Sequence, residues 1–146
     1  MNRKLKLYFV DFWSTFNKKD NLFYRLLSEN FDIEINRENP DVLIYSCYGW
    51  EYLQYDCIRI FYTAENKKTD FTGCDYSISF EYLEKSNQYR LPFYAYRILE
   101  GKLLSKLNSN ISRNQAINIW RKTKFCCMVV SNSRAAFRLE FFKKLN

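Results

Sequence analysis

Apolar positions along the chain follow two rhythms, one of strands and one of helices. Lys4–Val10 (KLKLYFV) is short, apolar and aromatic-rich, Phe31–Ile35 (FDIEI) alternates, Val42–Ser46 (VLIYS) is a buried-strand pattern, and Ile58–Tyr62 (IRIFY) and Tyr76–Phe80 (YSISF) complete a set of five short segments. Each predicts a strand. Between the first two, Leu22, Phe23, Leu26 and Leu27 recur at helical spacing, with Asp20 as the expected N-cap. Asn39-Pro40-Asp41 marks a turn. The connections are too long for simple hairpins and the first contains a helix. The five strands therefore predict an α/β fold with a mostly parallel, Rossmann-like sheet.

Beyond Pro92 the rhythm changes. Tyr94–Leu107 places Ile98, Leu99, Leu103 and Leu107 near helical spacing, interrupted by Gly101. Asn108–Asn114 (NSNISRN) is a polar break, and Gln115–Lys122 predicts a further helix with Trp120 on its apolar side. A continuous apolar run, Phe125–Val130 (FCCMVV), then predicts a strand, Ser131-Asn132-Ser133 a turn, and Arg134–Leu145 a helix. This last strand–turn–helix unit reads as the opening of a second α/β domain. The expected division is 1–118 for the first domain and 119–146 for the start of the second.

Composition narrows the class. With 146 residues, 47% hydrophobic and 19% aromatic, and only three glycines and two prolines, there is ample material for a packed core and none of the bias of disordered chains. The complete lack of histidine excludes Ser-His-Asp and Cys-His catalysis, histidine-ligated zinc and a histidine pH switch. Five cysteines at irregular spacing, without a CxxC pair, read as reduced thiols rather than a disulfide framework or a zinc site. The basic start of the chain is followed by an apolar run that ends at Asp11, too short for a signal peptide or membrane span. A cytoplasmic protein is expected.

The net charge of +7 is unevenly spread. Residues 1–100 hold 13 basic and 15 acidic side chains, whereas residues 101–146 hold ten basic ones against Glu140 alone. The last third is thus expected to meet an anion.

In a parallel sheet, ligands bind at the carboxyl ends of the strands. There the first predicted strand is followed by Asp11, Phe12 and Trp13, the third by Cys47, Tyr48 and Gly49, and the fourth by Thr63, Ala64, Glu65 and Asn66. Glu65, a strand-end carboxylate near aromatic residues, suits a general base facing a sugar-like ligand. A solvated loop acid or a turn cap is the alternative. Trp13, Phe16, Trp50 and Tyr52 fall in loops where a ring can stack on a ligand, although most of the 28 aromatic residues must serve the core. Arg134 and Arg138 are four apart, on one face of the first two turns of the terminal helix, where a bound anion would offset their conflict with the macrodipole; an exposed basic helix facing water is the alternative. No GxGxxG, GxxxxGK[ST], DxD or HExxH motif is present, and nothing resembles an RNA-recognition or zinc-finger signature.

An ordered series of segments carries a resemblance. FVDFW…FN…DN (Phe9–Asn21), NPDVLIYS (Asn39–Ser46), YDCIRIFYTAEN (Tyr55–Asn66), CDYSISF (Cys74–Phe80), YRLPFY (Tyr89–Tyr94) and KFCCMVVSNSRAAFRLEFFKKL (Lys124–Leu145) together resemble the amino-terminal half of bacterial α-1,3-fucosyltransferases, glycosyltransferase family 10. The resemblance implies a GT-B architecture: an amino-terminal Rossmann-like domain that receives the acceptor, here followed by only the first strand and helix of the GDP-fucose-binding domain. It implies an inverting transfer of fucose from GDP-fucose to N-acetylglucosamine or glucose of a lactosamine- or lactose-type acceptor. The family's YT-x-EN glutamate, the proposed general base, falls on Glu65. A donor-binding arginine falls on Arg138, with Arg134 the weaker match; beside these, Trp13 and Trp50, as loop rings able to stack on a sugar, and Asn66 are assigned to acceptor binding. The family's later donor-site segment has no counterpart, so an inactive amino-terminal fragment is expected.

No cofactor is required by the sequence beyond GDP-fucose as donor substrate, no metal ligands are assigned, and dependence on a divalent metal stays open. Nucleic acid is not an expected partner. Peripheral contact with the inner membrane and self-association through an exposed interdomain surface are. Two other readings are a non-catalytic carbohydrate-binding remnant and a basic module that binds nucleic acid through residues 101–146.

Overall fold

Six strands, all parallel, form one sheet in the order β2-β1-β3-β4-β5-β6. In chain order the strands are β1 (Arg3–Val10), β2 (Phe31–Ile35), β3 (Val42–Tyr45), β4 (Ile58–Tyr62), β5 (Tyr76–Ser79) and β6 (Gln88–Arg90). Helix α1 (Leu22–Ser28) follows β1, a 3₁₀ turn (Glu51–Gln54) follows β3, and α2 (Phe93–Glu100) and α3 (Leu104–Leu107) follow β6. The computed structural model describes residues 3–107, 110–121 and 134–145. The chain divides into two compact units, 1–108 and 109–146.

Both faces of the sheet are covered, which is why the inner stretches of its central strands, LYFV, VLIY and IFY, are continuously apolar. Leu7, Phe9, Ile44 and Tyr62 point to one face, where Leu22 and Phe23 of α1 and Tyr96 of α2 close a core. Tyr8, Val10, Leu43, Tyr45 and Phe61 point to the other, beneath Tyr52, Tyr55, Phe71 and Cys74. Register explains the pairing: Phe9 faces Ile44, which faces Ile60, while Val10 faces Tyr45, which faces Phe61.

The connection from β2 to β3 has no helix although it joins two parallel strands. Stagger makes this feasible. β2 pairs with β1 only up to Leu7, opposite Ile35, and β3 begins at the same level, with Val42 opposite Leu7. The chain therefore hops over β1 at mid-height instead of returning along its full length. Asn36 N donates to Leu7 O (3.1 Å), Asp41 N to Lys6 O (2.8 Å), and Lys6 N to Asp41 Oδ2 (2.9 Å), so the hop is hydrogen-bonded at both ends.

Three local expectations are corrected. The N-cap of α1 is Asn21, not Asp20: Asn21 Oδ1 accepts from Tyr24 N (2.9 Å) while its Nδ2 donates to Asn17 O (2.9 Å). Asp20, one residue too early to reach that N–H, pairs with Arg25 instead (3.0 Å). The single helix expected over 94–107 is two. After α2 the chain closes a Schellman motif, with Leu103 N bonded to Ile98 O (2.9 Å), Lys102 N to Leu99 O (3.3 Å) and Lys102 at φ 52°. Finally, β6 was not expected, because the three-residue QYR has no apolar rhythm and lies at the sheet edge.

In the second unit, α4 (Arg113–Trp120) begins at a capping box formed by Ser112 and Gln115, and Trp120 is exposed. Helix α5 spans Ala136–Leu145. The strand expected at 125–130 and the turn at 131–133 lie outside the described residues.

Gly49 is where the fold constrains the loop after β3. The Asp11 carboxylate accepts from Glu51 N and Tyr52 N, each at 3.0 Å, and so anchors the 3₁₀ turn to the end of β1. A Cβ on Gly49 would collide with Asp11 Oδ1. The Gly49→Ala variant is expected to displace that carboxylate and lose about 1–3 kcal/mol, the cost of donors left without a partner. Urea denaturation of the two proteins measures it.

Candidate active site

The loops after β1, β3 and β4 converge at the carboxyl edge of the sheet, beside the point where strand order reverses between β1 and β3. With one face of α2 they enclose a cleft of about 450 Å³. Trp13, Thr15, Phe16, Asn17 and Asp20 come from the first loop, Ser46 and Tyr48 from the second, Ala64 and Glu65 from the third, and Phe93, Tyr96, Arg97 and Glu100 from α2.

Glu65 is held at both ends. Its backbone N donates to Thr63 Oγ1 (3.0 Å), and Thr63, fully buried at the end of β4, donates in turn toward Glu65 O (3.3 Å). Its side chain accepts from Tyr48 Oη at Oε1 (2.8 Å). Burial of the Tyr48 hydroxyl, followed by the bond to Glu65, pushes that phenol up to about 12. Tyr48 thus stays protonated, and remains a donor, throughout the neutral range. Glu65 is otherwise exposed to the cleft, with no hydrogen bond from another described residue to its Oε2.

Trp13 forms the aromatic wall. Its ring meets Phe12 (5.6 Å), Phe16 (5.2 Å) and Tyr48 (6.5 Å) edge-on. Phe12 and Phe16 stack on each other at 3.9 Å and rest on buried Phe9. At the opposite end, Arg25 bridges Asp20 (3.0 Å) and Glu100 (2.7 Å), tying α1 to α2. Arg97 makes no salt bridge among the described residues. Asp20, Glu65 and Glu100 line the cleft against Arg97 alone, and even counting Arg25, which bridges Asp20 and Glu100 without lining it, one negative charge is in surplus. Such a cleft disfavours anions; aromatic rings and hydroxyl-accepting carboxylates suit a neutral polyhydroxyl ligand instead.

The other sequence-derived candidates lie elsewhere. Asn66 is exposed next to Glu65 and does not line the cleft. Trp50, 69% exposed, lines a smaller cleft of about 130 Å³ with Tyr45, Phe61, Lys67 and Lys68; the two clefts share Ser46. Lys67 Nζ lies 5.5 Å from the Trp50 ring centre. Arg138 is exposed in the first turn of α5. Arg134 precedes that helix, whose first hydrogen bond runs from Leu139 N to Ala135 O (3.1 Å), so the two arginines do not share a helix face as the spacing predicted. Both belong to the second unit. Arg97 and Glu100 were missed; only Tyr48, at a predicted strand end, carried a readable signal.

Cys47, Cys57 and Cys74 are free thiols, and the described residues contain no cluster of three or more His, Cys, Asp or Glu able to hold a metal ion. None of the described helices is long and apolar enough to cross a membrane.

A parallel α/β sheet with a carboxylate-bearing cleft at its switch point defines a Rossmann-like domain. More specifically, the chain belongs to the family of the alpha-(1,3)-fucosyltransferase FucT N-terminal domain, which matches residues 7–97. The fold is that of solved α1,3-fucosyltransferases. One is 24% identical with a TM-score of 0.58 over 82% of this chain and 38% of its own; another, crystallised with GDP-fucose, is 22% identical with a TM-score of 0.63 over 100% and 51%. The chain thus spans about two fifths to one half of those proteins' length. No curated protein matches it.

Proposed function

We propose that this chain forms the acceptor side of an inverting α-1,3-fucosyltransferase that uses GDP-fucose, with Glu65 as the general base. The observation that carries the reading is the carboxylate of Glu65, held by Thr63 and Tyr48 at the carboxyl edge of the sheet, beside the Trp13 wall and within a family-matched domain. Glu65 takes the proton of an acceptor hydroxyl as that oxygen forms a bond to the anomeric carbon of fucose. The bond from that carbon to the diphosphate breaks on the opposite face, and GDP leaves with the electron pair. The acceptor is N-acetylglucosamine in a lactosamine unit, or glucose in lactose. A neutral disaccharide fits a cleft that disfavours anions.

Trp13 stacks on the acceptor and Asn66 contacts it at the lip beside Glu65. Trp50 reaches only an extended acceptor that crosses Ser46. Arg138, and more weakly Arg134, serve the donor diphosphate, a role consistent with the basic last third of the chain. Cytoplasmic location, peripheral membrane contact and self-association accompany this reading as proposals.

NMR titration of the 146-residue chain with N-acetyllactosamine tests it. Shifts are expected around Trp13 and Glu65, and Trp13→Ala is expected to weaken binding about three- to tenfold, the value of one aromatic contact. Shifts with a short oligonucleotide in place of the sugar would overturn the reading and favour a basic nucleic-acid module. Silence to the sugar would remove the acceptor assignment.

A further inference from the structure

The hydrogen bond between Tyr48 and Glu65 joins two loops 17 residues apart in sequence, at the one carboxylate the reaction needs. Tyr48 is itself fixed in two ways. Its backbone N donates to Asp11 O (3.0 Å), and its ring meets the Trp13 edge (6.5 Å), so base and aromatic wall move as one piece. The phenol reaches only Oε1 of Glu65, and no described residue bonds Oε2.

We propose that Tyr48 is a positioning residue for Glu65: it occupies Oε1, fixes the carboxylate plane, and leaves Oε2 as the oxygen that accepts the acceptor's proton. This rests on the reading of Glu65 as base. The geometry explains how a carboxylate on an exposed loop keeps one orientation. Thr63 restrains only its backbone, and a side chain with three rotatable bonds would otherwise sample several rotamers. A donor bonded to one oxygen removes that freedom without consuming the second. The phenol also survives proton transfer unchanged, because Oε1 remains an acceptor when Oε2 carries the proton.

The test has two arms. In the full chain, the ¹³Cζ resonance of Tyr48 is followed by NMR from neutral to acid pH. It is expected to show an acid step as its carboxylate partner protonates, and Glu65→Gln is expected to abolish that step. A Tyr48 signal without the step, or with a step that persists in Glu65→Gln, would overturn the proposal.

In the second arm, Tyr48→Phe keeps the ring contact with Trp13 and removes only the hydroxyl. Where the chain transfers fucose, alone or joined to the donor half of a related fucosyltransferase, kcat is expected to fall about tenfold with the acceptor KM within about twofold. An unchanged kcat, or a loss confined to KM, would overturn the positioning role. The two readings fail separately. Transfer that survives Glu65→Gln removes the base, and with it the reason for positioning, even where the acid step is seen. Absence of the acid step removes Tyr48 alone.

Discussion

Replacing Glu65 by glutamine is expected to lower fucose transfer about a thousandfold while acceptor affinity changes by no more than a few-fold. The substitution is nearly isosteric. Tyr48 still finds an oxygen to donate to, and Thr63 still holds the backbone of the loop. What disappears is the capacity to take a proton, and a positioned general base contributes about 10²–10⁴-fold. The split matters more than the size, because replacing a residue that mainly binds the acceptor would raise KM as well. Steady-state kinetics in the transfer-competent protein, paired with NMR titration of N-acetyllactosamine, measures both. Full transfer by the variant would show that another group accepts the proton.

The second large effect belongs to Phe9. This ring, fully buried at the centre of the sheet in β1, supports Phe12 and Phe16, which in turn support the Trp13 wall. Phe9→Ala is expected to cost about 3–5 kcal/mol, as for other buried phenylalanines. For a unit of this size that lowers the Tm by about 10–20 °C. Phe9→Leu refills most of the space and is expected to lose only about 1 kcal/mol. Because the aromatic shelf stands on this residue, the leucine variant is also expected to bind acceptor more weakly than wild type while remaining folded. Thermal denaturation followed by circular dichroism separates the two variants. Equal stability of Phe9→Ala and wild type would show that the shelf is not built on Phe9.

Five of the six strands of the sheet were legible, VLIYS as the continuous apolar run that burial on both faces forces and FDIEI by its alternation, and the first helix was legible by its helical spacing. Strand β6 was not, since an edge strand of three residues is too short to show a rhythm. The cap of α1 was misplaced by one position because Asp20 and Asn21 both suit the role, and only three-dimensional reach distinguishes them. Likewise, Gly101 signalled a weak helix but not its end. The residue in the left-handed conformation is Lys102, chosen by the Schellman hydrogen bonds rather than by composition.

The candidate site divides along the same line. By itself the sequence determined that a carboxylate, Glu65, and an indole, Trp13, follow strands of one parallel sheet, and hence that both lie at its carboxyl edge. Only the tertiary structure decided which side chains meet there. It brought Tyr48 to Glu65, added Arg97 and Glu100 from a helix that starts nearly thirty residues after Glu65, and placed Trp50 on a separate cleft. It also gave Asp11, another strand-end carboxylate, to the 3₁₀ turn. The reason is physical. Periodicity reports which face of its own segment a residue occupies, a local property of strand and helix geometry. Which partner waits on that face depends on the register and stagger of distant strands, and no local pattern encodes those.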